Sequence, residues 1–408
     1  MKKSKAKKTA GRKNKKPKYK PLKKLAHEIL YKNLDWATET AAYYGFSPYH
    51  LPEVTKGDRQ QAEKTEKEER EDAQGDLPFL HLAERISILR DYEERKWNKE
   101  PQPILAAYTS KKGESKTYHF GLEILGSEKS IADATLIKTA YEILKDRGYE
   151  NLSVAINSMG DRESFGRFVR EFTMHCRKNL ENIHPTCRQD LKNNSLCSLF
   201  CKHEKCLKVL EEGPKPMGSL SEPSRAHFTE VLEYIEMLGI PYQIENTLVA
   251  DKTFGCQTVF KIFEEKNGKV LAAGARYNIL ARKIGFKKEL PAVGAKVEIK
   301  DFDGQVSASR KIEKPLVCFV QIGFEAKLKS LQVIEMLRTA KIPTYQSLSR
   351  DKLSSQLSIA ENSKIPYTII MGQKEAMENS VIVRSMQNRA QETVLLPNLQ
   401  KYLEKILR

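Results

Sequence analysis

The chain has 408 residues and carries 70 Lys or Arg against 53 Asp or Glu, a formal net charge of +17. Its length exceeds one ordinary domain, and 40% hydrophobic residues supply real cores, which excludes disorder throughout. No apolar run approaches the ~18 residues that cross a bilayer, and seven cysteines make no disulfide framework.

The charge is uneven. Residues 1–24 hold 13 basic side chains and no acidic one, 315–408 hold 13 basic and 8 acidic, and the stretch between is close to neutral. The first 24 residues have nothing apolar to bury and are expected to be a disordered polybasic tail. Its cations, among them Lys2, Lys3, Lys7, Lys8, Arg12, Lys13, Lys15 and Lys16, suit a sequence-independent clamp on phosphates. No apolar h-region follows these lysines, and the stretch is not an Arg-rich amphipathic presequence, so a cytoplasmic protein is expected.

Leu25, Ile29, Leu30, Leu34 and Trp36 have helical spacing, which predicts a helix followed by an extended segment from Tyr44 to Pro52. Residues 53–76 carry almost no apolar side chain and read as a solvated charged loop or a loose helix. Residues 103–108 and 118–125 read as a strand pair around a loop with Lys111, Lys112 and Lys116. A helix over 129–147, a strand over 152–157 and a helix capped at Gly160-Asp161 follow. Another helix runs from Glu222 to Leu238 and stops at Gly239, with strands near 257–264 and 269–273. Residues 302–314 are polar and read as a linker. Beyond them strands and helices alternate, which predicts a compact α/β domain over 315–408.

Several blocks resemble a known family. Gly126-Ser127-Glu128, Ile156 to Arg162, Leu238 to Tyr242, Thr258-Val259-Phe260, Ala273 to Asn278, Pro291 to Gly294, Gly372 to Glu375 and Gln391 to Val394 occur in the order found in bacterial-type histidyl-tRNA synthetases. The resemblance runs from about residue 121 to the end, and more weakly over 28–52. It implies an α+β class II aminoacyl-tRNA synthetase core, an antiparallel sheet with helices, over 25–301. It further implies an inserted subdomain at about 162–238 and a C-terminal α/β anticodon-binding domain. A homodimer built through Tyr44 to Pro52 is implied too, with tRNA or another RNA as the partner. Lys352 and Arg384 are then expected to face that RNA.

The site positions of the family depart from its pattern. Adenylate formation brings a carboxylate to the α-phosphate of ATP, so cations must neutralise the charge that builds up. The Arg and Glu of the second motif align with Leu105 and Ala107. The histidine-site Arg aligns with Ala250, the third-motif Arg with Asp301, and a family Glu with Lys261. Lysines at 111, 252 and 300 lack the guanidinium fork that would replace these arginines. Arg276 and Tyr277, with Thr258, stand as a remnant of the substrate pocket, or Arg276 and Tyr277 simply pack beside the tight strand crossing at Gly274.

The expectation is a catalytically impaired, RNA-binding paralogue with an accessory or regulatory role. An active ligase using ATP and Mg²⁺ is the alternative. A regulatory subunit of the ATP phosphoribosyltransferase type is third, since that type lacks the anticodon-binding domain.

Five of the seven cysteines lie within 176–206. His184-x2-Cys187 and Cys201-x4-Cys206 offer four ligands for zinc, with His175, Cys176, Cys197 and His203 as alternates. The other reading of the cluster is small buried apolar side chains in a helical insertion.

Overall fold

The computed structural model describes residues 31–67, 81–111, 117–193, 199, 201, 203–250, 255–299, 310–312, 315–347 and 350–407. The polybasic tail, Cys197, Lys112, Lys116, Lys252, Lys300 and Asp301 lie outside them.

The first body is an eight-stranded sheet in the order β2-β3-β4-β9-β8-β7-β5-β6. The strands are β2 (Ser47–Pro48), β3 (Ile104–Lys111), β4 (Tyr118–Leu125), β5 (Leu152–Ser158), β6 (Tyr242–Ile244), β7 (Cys256–Glu264), β8 (Lys269–Arg276) and β9 (Ala292–Ile299). Only the two outer pairs, β2 with β3 and β5 with β6, are parallel. The rest of the sheet is antiparallel. This is the class II core with its flanking helices.

Register divides the sheet into two faces, because residues directly opposite each other share a face. Ala107, Leu122, Ala295, Phe260 and Ile156 point to one side and pack in the main core. Helices α1 (Trp36–Tyr43), α4 (Ser130–Asp146) and α8 (Glu222–Met237) contribute to that core. On the other face a row runs Tyr108, Gly121, Lys296, Ala273, Lys261. Two residues further along lies Ala106, Glu123, Gly294, Ala275, Val259. One end of this second face is covered by α3 (Leu82–Glu94), the other by α5 (Arg162–Lys178) and α7 (Glu204–Glu212).

One expectation needs correction, and one open alternative is decided. Of the predicted first helix, residues 25–30 lie outside the described residues. Tyr31–Leu34 is instead a strand, β1, paired with β10 (Arg310–Ile312) inside the segment read as a linker. The helix α1 begins one residue after Asp35, whose side chain accepts the Thr38 N–H at 2.8 Å and so caps it. The charged stretch holds a helix, α2 (Lys56–Lys67), tied to α3 by Asp58 and Arg90 at 3.0 Å.

The second body is a five-stranded sheet in the order β12-β11-β13-β14-β15. Its strands are β11 (Val317–Gln321), β12 (Thr344–Gln346), β13 (Tyr367–Met371), β14 (Ser380–Ser385) and β15 (Gln391–Leu395). The helices α10 (Phe324–Thr339), α11 (Leu353–Asn362), α12 (Gln373–Met377) and α13 (Leu396–Ile406) complete the α/β domain.

This domain is fused to the first body by both apolar and charged contacts. Val317, Phe319, Leu331 and Leu337 belong to the same continuous core as α1 and α4. Arg338 donates to Asp146 at 2.9 Å and to Glu142 at 3.2 Å. Tyr44 donates to Glu335, and Gln346 Nε2 donates to the Tyr44 carbonyl at 3.0 Å.

Candidate functional site

The second face of the sheet carries a compact polar network. Glu123 on β4 sits opposite Gly294 on β9, and Tyr108 on β3 sits opposite Gly121 on β4. A Cβ added to Gly121 would overlap the Tyr108 ring, and one added to Gly294 would overlap the Glu123 carboxylate. Each large side chain therefore lies flat across the neighbouring strand, which only glycine permits.

Glu123 accepts from the Tyr277 hydroxyl at 2.5 Å and from the Tyr108 hydroxyl at 3.4 Å. Arg85, from α3, stacks over the Tyr277 ring at 4.4 Å and donates to the Gly294 carbonyl at 3.2 Å. Lys296 makes an ion pair with Glu84. Burial pushes the Glu123 carboxyl up to about 7, against the opposing pull of Arg85, the two tyrosine hydroxyls and Lys296.

His81, Glu84, Arg85, Tyr108, Glu123, Ala295 and Lys296 line a cavity of about 10 Å³, space for roughly one water. Neither α3 nor Lys296 was expected at the site from sequence. The available signal was the spacing of Leu82, Ile86 and Leu89, which sits on one face of a helix.

Arg276 belongs to a different assembly. Its Nε and Nη2 bind the Asp133 carboxylate at 2.9 and 2.6 Å. Its Nη1 donates to the Ser127 carbonyl at 2.7 Å, and Nη2 also reaches the Lys129 carbonyl at 2.9 Å. Burial acts to raise Asp133, but Arg276 and then His227 hold its carboxyl below the usual range. Arg276 is thus a buried strut rather than a ligand-facing remnant, because its guanidinium is spent inside the fold. Tyr277 is likewise committed to Glu123. Thr258 is buried on β7, and its hydroxyl has no hydrogen-bond partner.

The thiols meet elsewhere, in the helical insertion. Sγ atoms of Cys187, Cys201 and Cys206 lie within 4.8 Å of one another, and Cys187 to Cys201 is 3.1 Å. The backbone N–H of His184 points at Cys206 Sγ, 3.2 Å away, and that of His203 at Cys201 Sγ, 3.4 Å away. The His184 and His203 rings stack at 3.7 Å. Cys176 is buried in the same apolar cluster but stands outside the thiol group. His175 is also outside it, with Nε2 against the Val209 carbonyl at 2.9 Å.

Comparison with known proteins places this geometry. Residues 316–406 match the family described as the anticodon binding domain. The histidine–tRNA ligase of Fervidobacterium nodosum is 31% identical over 297 residues, covering 71% of this chain and 70% of that protein. The chain belongs to the histidine–tRNA ligase family. The histidine–tRNA ligase of Halothermothrix orenii is 29% identical over 337 residues, covering 79% of this chain and 80% of that protein. A solved structure of apo histidyl-tRNA synthetase from S. aureus aligns with a TM-score of 0.47 at 22% identity, covering 90% of this chain and 93% of that one.

Three of the positions aligned above with charged family residues, Leu105, Ala107 and Ala250, are apolar and packed here. Register corrects one alignment, however. Leu105 and Ala107 both pack against the main core, on the helix-covered face. The β3 side chains on the site face are Ala106 and Tyr108, one residue out of step, and neither is cationic. Ala250 is buried in the apolar cluster of the insertion, and its N–H points at Met159 Sδ at 3.1 Å. Lys261 does lie on the site face, but Glu245 pairs with it at 2.8 Å.

In the anticodon-binding domain Lys352 is exposed at the start of α11. Arg384 on β14 is half-buried, with Nε lacking a hydrogen-bond partner. The two are on separate elements.

Proposed function

We propose that this member of the histidine–tRNA ligase family binds tRNA or another RNA and no longer forms histidyl-adenylate, acting as an accessory or regulatory protein in the cytoplasm. The observation that carries the reading is the filled face of the sheet. Tyr108 lies over Gly121, Glu123 lies over Gly294, and Lys296 is neutralised by Glu84. The space left between them suits about one water. The aligned position Ala250 is apolar and packed, and the β3 side chains on the site face, Ala106 and Tyr108, supply no cation.

RNA binding rests on the anticodon-binding domain, on its excess of basic residues and on the 13 cations of the tail. A homodimer through the β2 edge is part of the proposal. Tyr44, in the same segment, is already covered by α10 of its own chain, which leaves Ser47 to His50 to make that contact.

The test pairs two measurements on the full chain. ATP–pyrophosphate exchange with histidine should stay at background, and a filter-binding titration against tRNA should show affinity that falls steeply with salt. Turnover in the exchange assay supports the active-ligase alternative and removes the first half of the proposal. Absence of binding at low ionic strength removes the second.

A further inference from the structure

We propose that Cys187, Cys201 and Cys206, with His184 as the fourth ligand, form a structural zinc site that ties the helical insertion together. The three sulfurs come from three separate stretches. Cys187 lies in the first turn of α6 (Pro185–Asn193), Cys201 in the segment before α7, and Cys206 in the first turn of α7. Three thiols drawn from a 20-residue span converge to within 4.8 Å. A tetrahedral zinc with Zn–S of about 2.3 Å sets its sulfurs about 3.8 Å apart, inside that span.

The surroundings need a tie of this kind. A nine-residue helix is marginal on its own. Among the described side chains of α6, at 185–189, none is fully buried, and Cys187 is the apolar one that reaches the cluster. Arg188 holds α6 only to carbonyls just before it, Ile183 at 2.8 Å and Glu181 at 2.9 Å. A metal bound through Cys187 would fasten α6 to α7.

The ligand atoms are available. The Nδ1 of His184 is buried without a hydrogen-bond partner. It stands outside the thiol group, so binding requires the ring to turn from its stack on His203. The N–H groups of His184 and His203 aimed at Cys206 and Cys201 are the kind of donors that stabilise thiolates. Zinc would displace the three thiol protons to solvent with no change of oxidation state. Four protein ligands leave no open position, so the site is structural and takes no part in chemistry on a substrate.

The experiment uses the full chain purified under reducing conditions. Elemental analysis should find about one zinc per chain, and cobalt(II) exchanged for it should show thiolate charge-transfer bands and intense tetrahedral d–d bands. Cys187→Ser and Cys206→Ser should each lower the bound metal at least about tenfold, and His184→Ala should weaken it by about 10–100-fold. Cys318→Ala, in the anticodon-binding domain, should leave it unchanged. The cobalt spectrum of the unaltered chain keeps the test valid if a variant fails to fold. Substoichiometric metal with free thiols, a Cys187–Cys201 disulfide in the reduced protein, or a cobalt spectrum lacking thiolate bands each overturns the proposal.

Discussion

Glu123 and Gly294 face each other across β4 and β9, and the carboxylate occupies the space where any side chain on Gly294 would stand. The pair holds the centre of the site face in its filled form. Gly294→Ala should therefore force Glu123 off its partners Tyr277 and Tyr108. A loss of about 1–3 kcal/mol is expected, the usual cost of overpacking. Urea unfolding measures it, with Gly218→Ala as the control, since a Cβ there meets nothing within 4 Å. Equal midpoints for the two variants would refute the crowding.

The same carboxyl makes stability depend on pH. Its folded value is raised to about 7, while the unfolded chain has the ordinary carboxyl value of about 4.3. The folded state thus holds the proton more tightly. That contribution is present in full below about pH 4.3 and is lost as pH rises through about 7. Unfolding midpoints should fall between pH 5 and 7.5, and Glu123→Gln should flatten this part of the profile. A slope retained in Glu123→Gln would assign it to other groups.

Asp133 behaves in the opposite sense. Its carboxyl is held low by Arg276 and His227, so its contribution is present above about pH 4 and is lost as pH falls toward the folded value. Asp133→Ala leaves the buried Arg276 without its counter-ion. A loss of about 3–5 kcal/mol near pH 7 is expected, shrinking in acid. Denaturant titration at pH 7 and pH 3 measures both parts.

Arg338 joins the two bodies by pairing with Asp146 at 2.9 Å and Glu142 at 3.2 Å, in addition to Glu335 on its own helix. Its side chain is 15% exposed, so the pairs are poorly screened. Arg338→Met should cost about 2 kcal/mol and speed amide exchange in α10 and in the C-terminal turn of α4. Unchanged exchange at both places would leave the apolar seam as the sole fastening.

Much of the fold was legible because its signals are local. Strand Tyr118–Leu125 and helix Glu222–Met237 fall where the strand pattern and the Gly239 stop put them. Asp161 caps α5 through the Ser164 N–H at 2.8 Å, as its place before the helix implied. Strand β1 was not legible. Its partner among the described residues is β10, nearly 280 residues away, a pairing that no local signal announces.

The sequence by itself determined the family, the order of the elements, the absence of arginine from the aligned site positions and the gathering of cysteines in the insertion. These properties reside in residue type and spacing along the chain. Only the tertiary structure decided which side chains share the site. Pairing register turned Leu105 and Ala107 toward the helices and Tyr108 toward the site, since a shift of one residue reverses the face of a strand. Packing of α3 brought in Arg85 and Glu84 from about 20 residues upstream of β3, and burial spent Arg276 on Asp133. Spacing had already named Cys187, Cys201 and Cys206 with His184, and the tertiary structure added that the three thiols converge.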